Sequence, residues 1–157
     1  FERTLITPDS RFDLYLKGDS NALSELEKKG YEEFKENSCA ACHFGAAMGG
    51  RSFEYNDIYG DYFAERNPEI EYNSDDEGLK GFTLKDEDLH KFKVPVLRNI
   101  ELTAPYFHDG SFQTLEEAVR AMARYELGKK LSGSEVDSIV AFLRTLNGQN
   151  PHLTAAK

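Results

Sequence analysis

Several common functions are closed to this chain by what it lacks. No apolar run approaches the roughly 20 residues that a membrane span requires. The first residues, "FERTLITPDS", do not show the basic-then-apolar order of a signal peptide. The expected chain is therefore soluble, and either mature or a piece of something longer. Basic residues are outnumbered, 19 Lys and Arg against 28 Asp and Glu, and the formal charge of −9 repels nucleic acid rather than attracting it. Hydrophobic residues reach only 39% and charged residues 30%. Such a balance predicts a modest core, or one completed by something that is not protein. Sulfur is scarcest of all, with two cysteines and two methionines.

What is present suits one ordinary domain, since 157 residues can enclose a single core but not two comfortable ones. Three segments read as amphipathic helices, each opened by a capping box. In "LSELEKKGYEEFKENS" the box is Ser24 with Glu27, the helix spans 25–37, and Leu23, Leu26, Gly30 and Phe34 fall near one face. Glycine on an inward face weakens a helix by about 1 kcal/mol, so Gly30 predicts a close backbone crossing with another helix. In "TLEEAVRAMARYELG" the box is Thr114 with Glu117, and Leu115, Ala118, Val119, Met122 and Tyr125 point inward. The third helix, 134–147, has Ser132 with Glu135 as its box, an apolar stripe of Val136, Ile139, Val140, Leu143 and Leu146, and Gly148 as its expected stop.

Between Arg51 and Phe82 neither a period of two nor one of 3.6 persists, which predicts a long loop. "TLKDEDLH" reads as a short helical turn. "KVPVLRNIELTAPYFHDG" reads as extended and irregular, because Pro95 and Pro105 push their preceding residues out of helical geometry and Asp109-Gly110 makes a turn. No strand pair with a hairpin signal and no internal repeat is found. The expected architecture is all-α with long irregular loops: a leading segment 1–22, a domain 23–148 and a tail 149–157. From Arg51 to Lys91 twelve acidic residues stand against five basic ones. That segment either steers a basic partner or is simply a solvated loop.

Both cysteines sit in "ENSCAACHFGAAMGG", spaced C-x-x-C-H. This is the attachment signature of c-type haem. Cys39 and Cys42 can each add to a porphyrin vinyl group as thioethers, and His43 can present its imidazole to the iron. The rival readings are weaker. A redox C-x-x-C belongs in a βαβ context, and a zinc site needs two further ligands, whereas His90, His108 and His152 are scattered. For the opposite side of the iron, Met48 lies too close to His43 in sequence to leave its side of the ring. Met122, far downstream on a helix, is the better candidate, and thioether ligation raises the iron's potential. Two alternatives stay open: Met122 as core filler, and His108 as ligand. Arg98 could clamp a haem propionate or make a surface ion pair. Tyr106 and Phe107 could pack on porphyrin or on helices. His90 and His152 read as exposed polar residues.

Nearly the whole chain resembles the C-terminal haem domain of the bacterial dihaem cytochrome c peroxidases. The likeness is carried by "FERTLITPDSRFDLYLKGD", by "CAACHFG", and above all by "FKVPVLRNIELTAPYFHDGSFQTLEEAVRAMARYELGKKLS". It implies an all-α cytochrome c fold with one covalent haem, held by Cys39, Cys42 and His43 and closed by Met122. That high-potential haem would take electrons from a small donor cytochrome or cupredoxin. It would pass them to a second, peroxide-reducing haem in an N-terminal domain. The likeness also implies that the carbonyls of Thr103 and Pro105 serve an interdomain calcium ion, whose other ligands come partly from that domain. A related group that oxidises protein tryptophans replaces the methionine by tyrosine, so Met122 speaks for the peroxidase branch. This sequence holds a single C-x-x-C-H, and an iron closed on both sides offers peroxide no position. On its own the chain is expected to carry electrons rather than to reduce peroxide. Loss of Met122 from the iron would open a pseudo-peroxidase activity. A free-standing monohaem carrier is the alternative, and an upstream C-x-x-C-H would separate the two. Haem of this type is attached outside the cytoplasm, the likeness implies the periplasm, and a homodimer is left open.

Overall fold

Side chains fix where the helices begin. In the computed structural model, which describes residues 6–148, α1 (Arg11–Leu16) starts at Ser10 and α2 (Glu25–Glu36) at Ser24. The short α3 (Tyr62–Glu65) and α4 (Lys80–Thr83) interrupt the central loop. Helix α5 (Leu115–Leu127) starts at Thr114 and α6 (Gly133–Arg144) at Ser132. All three expected capping boxes form: the Ser24, Thr114 and Ser132 hydroxyls accept from the backbone N–H three residues on, while Glu27, Glu117 and Glu135 accept from the cap's own N–H. His152 and the tail 149–157 lie outside the described residues.

The core forms where α2 crosses α6. A Cβ on Gly30 would stand 1.8 Å from the Ser138 carbonyl oxygen and 3.0 Å from the Phe142 Cβ, so the two backbones touch, as the placement of this glycine predicts. Val136, Ile139, Val140, Leu143 and Leu146 are all buried, and Phe142 gathers Phe12, Tyr31 and Phe34 around it at ring separations of 5.1 to 5.3 Å. Helix α1, within the segment expected only to lead into the domain, therefore contributes Phe12 to the same core. Gly148 is not the stop of α6, which ends on Thr145 in right-handed geometry. A Cβ on Gly148 would instead come within 2.7 Å of the Thr7 side chain, so close packing requires the glycine.

A turn separates α2 from the cysteines: Asn37 caps the helix, Ser38 turns left-handed at φ 65°, and Cys39–Ala41 form a separate 3₁₀ turn. The long loop is more ordered than its lack of periodicity suggests. Strand β1 (Phe53–Tyr55) pairs antiparallel with β2 (Lys91–Lys93), Phe53 opposite Lys93 and Tyr55 opposite Lys91. Three residues per strand are too few to show alternation, and no hairpin turn joins them. The expected turn at "TLKDEDLH" splits into the end of α4 and a 3₁₀ turn, Asp86–Asp88. A buried ion cluster pins the loop to the Asp109 turn: Arg66 donates to Asp76 at 2.6 and 2.8 Å and to Asp109 at 3.0 Å.

Replacing Gly30 by Ala forces the two helices apart. Overpacking of this kind costs up to about 3 kcal/mol, and urea denaturation should show a loss of that order. Gly133→Ala, whose Cβ meets nothing within 4 Å, is the matched control and should not destabilise the chain.

Candidate haem site

The left-handed Ser38 re-aims the chain so that Cys39, Cys42 and His43 wrap a single tight turn, with the His43 N–H donating to the Cys39 carbonyl at 3.0 Å. Asn37 braces its start, donating to the Glu33 carbonyl and accepting from Lys129 at 3.2 Å. Residues 48–50 form the adjoining wall. Gly50 N–H donates to Val94 O at 2.8 Å and Leu97 N–H to Met48 O at 3.2 Å. Gly49, at φ 138°, lies so close to Pro95 that a Cβ would meet its carbonyl oxygen at 2.0 Å.

Burial dominates the electrostatics here. Both cysteines are free thiols and half-buried. Burial pushes the Cys39 thiol up to about 11, and burial, followed by Glu54 and Glu126, raises Cys42. Burial also lowers His43, with the Met48 and Pro95 carbonyls pulling the other way. The motif thus presents two neutral thiols and a neutral imidazole. A thiol–disulfide catalyst needs the opposite, a thiolate with depressed pKa. Zinc is equally unsuited, because among the described residues the one group of His, Cys, Asp and Glu side chains close enough to share an ion is Asp76, His108 and Asp109, remote from both cysteines in sequence. Arg66 already neutralises that cluster. The donor set does fit a covalent porphyrin. His43 Nδ1 is enclosed by protein, which leaves Nε2 as the nitrogen for a metal.

The remaining expected residues are distributed around this turn. Met48 stays beside His43, both lining a cleft of about 510 Å³ with Phe12, Phe34, Phe44 and Arg98. Met122 is half-buried on α5 between buried Ala121 and Ala123, and is not part of that cleft. Arg98 is buried rather than on the surface, and its guanidinium is already engaged: it pairs with Asp13 through both terminal nitrogens and donates to Ser10 Oγ at 3.0 Å and to the Ala46 carbonyl at 2.9 Å. Tyr106 is buried in the main core, while Phe107 bridges it to a second cluster around Tyr62. His108 bonds neither Asp109 nor the motif; its Nε2 lies 2.7 Å from Asp76 and its ring stacks on Phe92. Thr103 and Pro105 are exposed on the loop after a 3₁₀ turn, Ile100–Leu102. Asp13, Arg66, Asp76 and Glu126 are missed by sequence reasoning, since their partners lie far away in the chain. The last is a carboxyl that burial, Asp57 and Glu54 push up to about 7.

A predominantly helical chain whose only cysteines form such a C-x-x-C-H turn defines a c-type cytochrome domain. No protein-family model matches it. Over 149 residues it is 51% identical to the cytochrome c peroxidase Ccp of Escherichia coli (strain K12), covering 94% of this chain and 31% of that protein. To the cytochrome c551 peroxidase of Nitrosomonas europaea it is 46% identical over 151 residues, 96% of this chain and 43% of the relative. Among solved structures, a MauG-like protein associated with microbial copper homeostasis superposes with TM-score 0.68 at 29% identity, over 94% of this chain and 53% of that one. The diheme peroxidase BthA Y463M variant from Burkholderia thailandensis E264 shares the fold at TM-score 0.66 and 21% identity, over 88% and 45%. Over nearly its whole length the chain matches one part of bacterial cytochrome c peroxidases, and it spans about a third to under half the length of these curated relatives.

Proposed function

We propose that this chain is the electron-entry half of a dihaem cytochrome c peroxidase, and that peroxide is reduced at a haem in a preceding domain. The observation that carries the reading is the tight C-x-x-C-H turn of Cys39, Cys42 and His43 in a chain whose relatives are cytochrome c peroxidases. Cys39 and Cys42 would hold one haem c by thioether bonds, and His43 Nε2 and Met122 Sδ would ligate its iron. The haem supplies a one-electron couple. The protein contributes the rest: the walls at 48–50 and 94–97 stand beside the half-buried His43 ring, and Tyr106 and Phe107 border the core that a porphyrin would complete. Arg98, held by Asp13, would act near a propionate only through the cleft it shares with His43. Thr103 and Pro105 are exposed, so their carbonyls would be available to a calcium site shared with another domain.

No helix among the described residues is long and apolar enough to cross a membrane. Covalent haem attachment argues for the periplasm as the working compartment. A small cytochrome or cupredoxin of basic surface is the donor that suits the acidic 51–91 segment.

Two measurements follow. Met122→His should abolish the sulfur-to-iron charge-transfer band of the ferric form and lower the midpoint potential; a native chain without that band removes Met122 from the iron. Donor association should slow as ionic strength rises, and a rate flat with salt would take docking away from the acidic surface.

A further inference from the structure

Sequence reasoning leaves His90 as an exposed polar residue without a partner. The structure gives it two. Its Nδ1 lies 3.0 Å from Asp57 Oδ2, and its Nε2 lies 3.1 Å from the hydroxyl of Tyr72. A carboxylate can only accept, so Nδ1 carries the ring proton and Nε2 is left to accept from the phenol. The imidazole is firmly placed. Its backbone is held left-handed at φ 59°, unusual for a residue other than glycine. Its ring packs on Phe63 at a centroid distance of 3.9 Å, and its N–H and carbonyl bond Glu77 and Asn56.

Tyr72 is also the outer rung of an aromatic ladder. Its ring is 5.8 Å from Phe63, Phe63 is 5.3 Å from Tyr62, and Tyr62 is 5.4 Å from Phe107 and 5.3 Å from Tyr125. Each step lies within aromatic contact distance. Phe107 joins this cluster to the main core, in which Cys39 and Met48 pack. Two inner rungs carry phenols with basic partners: Tyr62 donates to Asp109 at 2.7 Å and Tyr125 to Glu65 at 3.2 Å. At the outer end Tyr72 is 53% exposed, so an electron can enter or leave there. Tyr55, exposed to a similar degree, differs in the decisive respect, because its hydroxyl donates to the Glu87 backbone carbonyl, which cannot take a proton.

We propose that Tyr72, with His90 as proton acceptor and Asp57 behind it, is a redox-active tyrosine: a one-electron site on the surface, separate from the haem turn. The phenol gives one electron to a one-electron oxidant, which is reduced. Its O–H bond breaks, the proton passes to His90 Nε2, and Asp57 holds the resulting imidazolium. A neutral phenoxyl radical remains. A one-electron reductant, such as a thiolate or ascorbate, reverses the step and the proton returns from His90. A phenol that has lost an electron is a very strong acid, so a base already hydrogen-bonded to it makes the oxidation easier. Such a site would drain stray oxidising equivalents from the core to the solvent.

The test uses the haem-loaded chain, with the oxidant supplied externally as photogenerated ruthenium(III) polypyridyl, so it does not depend on the peroxidase reading. Rapid freezing and electron paramagnetic resonance should show a phenoxyl signal whose decay slows in deuterated solvent. Tyr72→Phe should lose most of that signal and Tyr55→Phe should keep it. His90→Asn, chosen because Asn tolerates left-handed backbone, should shorten the radical's lifetime. Asp57→Asn, which keeps the imidazole but unpins it, should do the same and carries the base test if the His90 variant does not fold. A signal that survives Tyr72→Phe, or a lifetime unchanged in the folded base variants, overturns the proposal.

Discussion

The contact between Gly30 and the Ser138 carbonyl is the constraint from which the rest of the domain is built. Helices that approach this closely leave no room for a side chain between them, so their relative placement is set by backbone rather than by adaptable packing. Phe142, one turn beyond Ser138, then becomes the hub on which Phe12, Tyr31 and Phe34 pack. Because α2 ends only a few residues past the crossing, the same contact decides where the cysteine turn begins. The left-handed Ser38 decides its direction.

Placement explains the chemistry of that turn better than residue type does. Cysteine pairs of the same spacing serve thiol–disulfide exchange when a helix end or a cation stabilises the thiolate. Here burial outweighs the opposing pull of Lys129 at Cys39 and is reinforced by Glu54 and Glu126 at Cys42, so both sulfurs stay protonated, and burial keeps the neighbouring imidazole neutral. Two thiols that resist ionisation and one imidazole with an enclosed Nδ1 make a poor redox couple of their own and a good anchor for a covalent cofactor.

Much of this was legible from sequence because it is local. A capping box spans four residues, an apolar stripe repeats every three or four, and C-x-x-C-H lies within five, so α2, α5, α6 and the haem turn could be read by spacing, whereas the short α1 and α3 could not. Gly30 was legible for a different reason: an inward glycine has a cost that only a close neighbour repays. The remainder depends on pairs distant in the chain. Nothing in the surroundings of Arg66 announces Asp76 and Asp109, and nothing near Arg98 announces Asp13. The β1–β2 ribbon is too short to alternate. Gly148 misled because glycine after a helix is so often a cap, whereas here it makes room for Thr7. His90 looked solitary because Asp57 and Tyr72 reach it from other parts of the loop.

The chain spans under half of the relatives it matches, and beside an ordered acidic loop, a buried ion cluster and an aromatic ladder it carries a turn suited to one covalent cofactor. The account stands or falls on that attachment. Intact-mass measurement of the chain produced with a c-type cytochrome maturation system tests it most directly. The account predicts a mass increase of one haem that survives acidified-acetone extraction and requires both Cys39 and Cys42 for full thioether linkage. A chain that emerges with two free thiols and no added mass would contradict it.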